Sequence, residues 1–105
     1  MNLNDLREKN LARQADLFSG SSKERDLFLA AGAAKEIGKI LDKVHSRYRA
    51  GNRYPPNTRS EIADAIIYLD LLAAHYGIDL SKAVIEKFNK TSKEYDSEVY
   101  LEVPK

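Results

Sequence analysis

The segment from Glu61 to Gly77, EIADAIIYLDLLAAHYG, places hydrophobic residues on nearly every side of a helix. Such a helix has to be covered by other helices or by another subunit. Glu61 and Asp64 nevertheless lie one turn apart on one face, with Cβ atoms roughly 5–6 Å from each other. Buried carboxylates are costly unless a cation, a donor or water compensates them. The segment therefore predicts a bundle helix that carries an acidic site, and Mg²⁺ is a compensating cation that would also do chemistry.

The length of 105 residues suits one domain, so we expect residues 1–105 to form a single domain. Seventeen basic and sixteen acidic residues give a net charge of +1, which implies no general attraction to nucleic acid or to anionic membranes. The absence of cysteine excludes disulfides and thiolate metal sites. The N-terminus lacks the apolar core of a signal peptide, and no apolar run approaches about 18 residues. We therefore expect a cytoplasmic protein with neither membrane nor nucleic acid as a partner.

Periodicity and turn residues predict an all-α fold with four helices. They run from about Asn4 to Phe18, Ser22 to Tyr48, Thr58 to Tyr76, and Asp79 or Ser81 to Tyr95. Ser21 and Glu24 have the spacing of a capping box, and Gly77 is well placed as a C-terminal cap. Residues 96–105 are too short and too charged for a firm assignment, and the alternatives are an extended tail or an edge-pairing strand.

The second helix indicates an oligomer. Its apolar stripe recurs every three or four residues, and the small residues of AAGAAKEIG would let another helix approach closely. Gly32 and Gly38 each weaken helix propensity by about 1 kcal/mol, which implies packing or function at those positions. At about 40 Å, this helix projects beyond a compact monomer, whose radius of gyration would be about 13 Å. We therefore expect a homo-oligomeric helix bundle, either a dimer or a tetramer. The members of the stripe are Leu27, Ala30, Ala31, Ala34, Ile37, Leu41 and Val44.

Three groups of polar residues have two interpretations each. Glu36, Lys43 and Arg47 lie along one stripe with Lys39 beside it, which would suit a metal followed by an anionic chain, or else a solvated face. Glu61 and Asp64 either bind a metal or serve as a capping box with Thr58 and as an acid near the helix dipole. The run EKFNKTSKEY would suit phosphate or would be a lysine-rich solvated face. His45 and His75 lack ligand-like spacing, so we expect structural or surface roles.

The stretch from Glu61 to Tyr95 resembles the C-terminal half of the MazG-like nucleotide pyrophosphohydrolases, an all-α family. The matching features are E-x-x-D at Glu61 and Asp64, GIDL at residues 77–80, and KFN at residues 87–89. The N-terminal NDLREKNLARQ also looks like the opening helix of that family. The resemblance thus covers most of the chain.

This resemblance implies Mg²⁺-dependent hydrolysis of nucleoside triphosphates, often non-canonical ones, to the monophosphate and pyrophosphate. Acidic residues from two helices would hold the metal, which bridges phosphate oxygens and activates water. The implied catalytic and metal-binding residues are Glu36, Glu61 and Asp64. Lys87 and Asn89 match positions that the family uses near the nucleotide, and Lys39 and Lys43 of the charged stripe on the second helix complete the predicted substrate-binding set.

The first acidic motif departs from the family pattern. The register that places its last glutamate on Glu36 puts Ala33 where a metal-binding glutamate is expected, and Lys35 where a small residue is usual. Losing one carboxylate removes a ligand and a negative charge, so affinity for a second Mg²⁺ should fall. The chain is therefore either an active pyrophosphohydrolase with a reduced acidic cluster or a non-catalytic relative that binds a nucleotide or a protein. A purely structural helical oligomer is the third alternative.

Overall fold

The computed structural model describes residues 1–17, 24–51 and 56–103. Four helices account for most of them: α1 (Leu3–Leu17), α2 (Arg25–Arg49), α3 (Arg59–His75) and α4 (Leu80–Glu94). No strand occurs in these ranges, which confirms the all-α prediction. The predicted capping serine at position 21 and the predicted helix bounds at 18 and 22 lie outside the described residues.

Helices α3 and α4 each end in a hydrogen-bonded turn of the same type. After α3, Gly77 adopts a φ of 69°, and the Ile78 amide donates to the Ala73 carbonyl over 2.8 Å. This is the arrangement in which a left-handed residue lets the chain satisfy the last free carbonyls of a helix, as predicted for Gly77. Asp96 adopts a φ of 55° after α4, where the Ser97 amide donates to Ser92 over 2.8 Å.

Helices α2 and α3 form an antiparallel hairpin with the most extensive helix contact of the described chain. At one end the Tyr76 hydroxyl donates to Asp26 over 2.8 Å, and at the other Lys43 forms an ion pair with Glu61. Gly32 permits the close approach, because a Cβ there would lie 2.6 Å from the Tyr68 ring. The small residues of α2 thus serve packing at Gly32, as predicted.

A buried polar network joins α1 to α3. The Asp70 side chain is 1% exposed and accepts hydrogen bonds from Arg7 Nε at 3.1 Å and from Asn10 Nδ2 at 2.9 Å. Arg7 also donates to the Ile78 carbonyl over 2.8 Å. Asp70 therefore faces α1, half a turn round the helix from Glu61, which confirms that the two acids do not share a site within one chain.

The apolar stripe of α2 does not face α3. Leu27 is 70% exposed and Leu41 is 53% exposed, whereas Leu29, Ala33 and Glu36 are buried. The latter three residues fall on the opposite side of the helix, which is the side that packs on α3. The prediction of an apolar stripe is right, but within one chain that stripe stays in solvent.

The chain exposes more surface than a compact monomer would. Its accessible area is 8477 Å², about 2,500 Å² more than the roughly 6,000 Å² expected for its mass. The radius of gyration is 16.8 Å against about 13 Å for a compact chain of this length. On α3, Ile62, Ile66 and Leu69 lie on one exposed stripe. Helix α3 is therefore not covered within one chain.

Residues 97–103 form a segment without helix or strand. The Asn89 side chain fixes it, because Nδ2 donates to the Leu101 carbonyl over 2.9 Å and Oδ1 accepts from the Leu101 amide over 2.7 Å. Of the two alternatives for the C-terminus, the described part is thus an extended tail. None of the described helices has the length and apolarity needed to cross a membrane.

Candidate functional site

Glu36 and Lys39 form the α2 half of the site. The Glu36 carboxylate is buried against α3, and Lys39 Nζ lies 3.1 Å from its Oε1. The burial follows from helix periodicity, since Glu36 is seven residues beyond the buried Leu29 and so lies two turns further along the same face. Lys39 lies one turn beyond Glu36 and is half exposed, so it compensates the acid from the solvent side.

Glu61 supplies the α3 half. Its Oε1 accepts a hydrogen bond from Lys43 Nζ, which also donates to the Asn57 carbonyl over 2.8 Å. The pKa of Glu61 is lowered, first by the hydrogen bond from Lys43 and, more weakly, by the charges of Lys43 and Lys39. Lys39 therefore acts on the acids of both helices. Together Glu36, Lys39, Lys43 and Glu61 form a charge-balanced quartet across the α2–α3 interface.

The second oxygen of Glu61 has no partner. Glu61 Oε2 is buried and makes no hydrogen bond among the described residues. A buried carboxylate oxygen without a donor is costly, because it has lost its hydration without replacement. Water or a cation would satisfy it, and an oxygen ligand of this kind is what Mg²⁺ prefers. On this observation Glu61 offers, within the described chain, one free oxygen ligand for a divalent cation, while Glu36 is paired with Lys39.

Asp64 is exposed one turn beyond Glu61. Across residues 1–17, 24–51 and 56–103, no group of three or more His, Cys, Asp or Glu side chains is arranged to hold a metal. The predicted set of Glu36, Glu61 and Asp64 is therefore not gathered within one chain and stays a prediction. Ala33, at the position of the expected fourth acid, is buried one turn before Glu36.

The capping interpretation of Glu61 is wrong. Thr58 is the N-cap of α3, but its side chain makes no capping hydrogen bond, and its amide donates to Pro56. Glu61 instead pairs with Lys43. Glu61, in the first turn of α3, thus contacts another helix instead of completing a capping box.

Lys87 and Asn89 lie away from this quartet on α4, which makes no contact with α2 in the described chain. Asn89 uses its amide nitrogen and its oxygen to hold Leu101. Lys87 is exposed at the rim of an apolar groove on α4 that also contains Phe88 and Tyr95. Within the described chain, Lys87 and Asn89 therefore lie away from Glu36 and Glu61.

A cavity of about 430 Å³ lies beside the quartet, where the end of α2 meets the start of α3. It is lined by the polar side chains of Asp42, Lys43, Ser46 and Arg47, and Arg47 also lies over the ring of Tyr48. This confirms that Lys43 and Arg47 lie along one stripe, and it adds Ser46, which the sequence did not single out. Its two basic side chains outnumber its one acidic side chain, which allows it to take an anion such as phosphate.

Sequence reasoning missed two features. The first is the ion pair of Glu61 with Lys43, which joins α3 to α2, whereas the pair of Glu36 and Lys39 follows from their i,i+3 spacing. The second is the Arg7–Asn10–Asp70 network, signalled by an acid within an apolar helix. Only the tertiary structure identifies α1 as the element that compensates Asp70.

Comparisons with protein-family models, with curated proteins and with solved structures found no match for this chain.

Proposed function

We propose that the protein is a Mg²⁺-dependent nucleoside triphosphate pyrophosphohydrolase of the MazG-like type, which produces the monophosphate and pyrophosphate. The observation that carries the proposal is the unpartnered, buried Oε2 of Glu61 at the interface with the helix of Glu36. The resemblance of E-x-x-D, GIDL and KFN to the family supplies the reaction class.

In this proposal Glu36, Glu61 and Asp64 would hold Mg²⁺, which supplies charge neutralisation and an activated water when bound. Lys39 pairs with Glu36 and Lys43 pairs with Glu61, and in this proposal both lysines would bind phosphate oxygens. The cavity at Ser46 and Arg47 extends from Lys43 and offers room for an anionic chain. Lys87 and Asn89 are proposed to contact the nucleotide from α4.

The proposal includes a homo-oligomer. The α2 stripe and the stripe of Ile62, Ile66 and Leu69 on α3 are exposed in one chain. A stable interface buries about 800 Å² on each partner, and the excess surface of about 2,500 Å² exceeds that amount. Light scattering should therefore give at least twice the monomer mass. Ile66→Lys should dissociate the oligomer, whereas Ser60→Lys, on the other side of α3, should not; a monomeric parent would contradict this.

The activity is tested by measuring pyrophosphate release from a panel of nucleoside triphosphates with Mg²⁺. We expect Glu36→Gln, Glu61→Gln and Asp64→Asn each to lower kcat at least about 100-fold, because each removes a charged metal ligand. Glu86→Gln, an exposed position on α4, is the control and should retain activity. Equal rates for the parent and the three site variants would show that the assigned site is wrong.

A second candidate function is nucleotide binding without catalysis. It is favoured by Ala33 in place of an acid and by the pairing of Glu36 and Glu61 with lysines. Calorimetry would then show nucleotide binding while no pyrophosphate is released. Turnover at rates usual for enzymes would exclude this candidate.

A further inference from the structure

Lys43 donates hydrogen bonds to two acceptors in different parts of the chain. Its ammonium group donates to Glu61 Oε1 on α3 and to the carbonyl of Asn57 ahead of that helix. One oxygen of the Glu61 carboxylate is thus already occupied by a cation that belongs to the protein. The other oxygen, Oε2, is buried and has no partner among the described residues.

A divalent cation at Oε2 would lie within a few ångströms of the Lys43 ammonium, because both would contact one carboxylate. Two cations at that separation repel each other, and solvent weakens the repulsion because the Lys43 side chain is 43% exposed. The ammonium and the metal therefore cannot both bind the Glu61 carboxylate as strongly as either would alone. A metal must therefore compete with the lysine for this acid.

We propose that Lys43 is the resident counter-ion of Glu61, and that a divalent cation reaches this carboxylate as the Lys43 ammonium leaves it for a phosphate group. The identity of the cation as Mg²⁺ rests on the proposed function. The cavity beside Lys43, which Asp42, Ser46 and Arg47 also line, gives the displaced ammonium room to move away from Glu61.

The exchange selects a metal-bound polyphosphate over either ion alone. Free Mg²⁺ would leave Lys43 without an anion, and free polyphosphate would leave Glu61 without a cation. When both enter together, Glu61 exchanges an ammonium for the metal and Lys43 exchanges a carboxylate for phosphate. Each ligand therefore raises the affinity for the other, and this coupling depends on Lys43.

The test is calorimetric titration of Mg²⁺ alone into the parent, Lys43→Met and Lys35→Met. Lys35 is exposed on the same helix, so Lys35→Met removes the same charge without touching Glu61. We expect Lys43→Met to lower the Kd for Mg²⁺ by about fivefold relative to Lys35→Met. This factor corresponds to the loss of one exposed ion pair whose strength is at the upper end of the usual range. Equal or weaker binding by Lys43→Met would overturn the proposal.

A second measurement uses the parent chain, in case Lys43→Met does not fold. The side-chain ¹⁵Nζ resonance of Lys43 should shift when Mg²⁺ and pyrophosphate are added together, whereas that of Lys35 should not. An unchanged Lys43 resonance at saturation would overturn the proposal.

Pyrophosphate release tests the proposed function separately. If the parent hydrolyses nucleotides but Lys43→Met binds Mg²⁺ no tighter than Lys35→Met, only the exchange fails. If Lys43→Met binds Mg²⁺ tighter but the parent is inactive, only the enzymatic function fails. If Lys43→Met binds Mg²⁺ no tighter than Lys35→Met and the parent releases no pyrophosphate, both proposals fail.

Discussion

Lys43 on α2 and Glu61 on α3 form an ion pair that joins the two helices at the end of the hairpin where the chain passes from α2 to α3. The pair lies beside a second one, Glu36 with Lys39, and together they leave the acidic site electrically balanced without any bound ion. The balance explains how two carboxylates can lie at a helix interface of a chain whose core is small. It also means that metal binding and lysine pairing compete.

The first prediction concerns the pH dependence of stability. The Lys43 hydrogen bond lowers the pKa of Glu61 in the folded state, while an unfolded glutamate titrates near about 4.3. The unfolded chain therefore binds the proton more readily, so this group contributes stability above about pH 4.3 that is lost as pH falls through the folded pKa. In thermal melts without Mg²⁺, Tm between pH 5 and pH 3 should fall less in Lys43→Met than in Lys35→Met. Identical pH profiles would contradict the assignment.

The second prediction contrasts two glycines of α2. A Cβ at Gly32 would lie 2.6 Å from the Tyr68 ring, whereas nothing lies within 4 Å of one at Gly38. Gly32→Ala should lower the free energy of unfolding by about 1–3 kcal/mol through overpacking. Gly38→Ala should raise it by up to about 1 kcal/mol through helix propensity. Urea denaturation measures both, and a stabilised Gly32→Ala would show that α2 and α3 do not pack as described.

Helix α2 was predicted from the sequence, but the face that it buries was not. Periodicity gave the helix, its apolar stripe and its small residues, and the structure has all three. Periodicity did not reveal that the buried side would be Leu29, Ala33 and Glu36, because the choice of face depends on what α3 offers. The close approach of the Tyr68 ring to Gly32 is a tertiary contact that no local pattern specifies.

The candidate site was predicted in part. Helix geometry correctly separated Asp70 from Glu61, and it placed Glu36 on the same stripe as Lys43. The pair of Lys43 with Glu61 depends on side-chain conformations and on the distance between helices, which local spacing does not specify. The contacts of Asn89 could not be predicted either. Its hydrogen bonds to Leu101 depend on the path of the C-terminal tail, which is set by tertiary structure.

The third prediction concerns the α1–α3 network. Asp70→Ala leaves Arg7 and Asn10 without their shared acceptor, so the free energy of unfolding should fall by about 3 kcal/mol. Asp64→Ala removes an exposed acid of the same helix and should change it by no more than about 0.5 kcal/mol in the absence of Mg²⁺. Chemical denaturation decides the matter. Equal effects would mean that Asp70 is not compensated by α1.

The fourth prediction restores the acid that the resemblance expects at Ala33. Because Ala33 is buried one turn before Glu36, Ala33→Glu adds an uncompensated buried charge and should lower Tm without metal. Mg²⁺ should recover part of that loss and increase pyrophosphate release at least about tenfold over the parent. Ala33→Gln, of similar volume but uncharged, should show neither response to Mg²⁺. A gain in Ala33→Gln equal to that in Ala33→Glu would rule out the metal as its cause.

The position of bond cleavage tests the central claim most directly. In ³¹P NMR of a nucleoside triphosphate incubated with Mg²⁺ and the protein, we expect monophosphate and pyrophosphate in equal amounts. Glu61→Gln should slow their appearance at least about 100-fold. Release of orthophosphate with diphosphate, absence of any product, or an unchanged rate in Glu61→Gln would contradict the account.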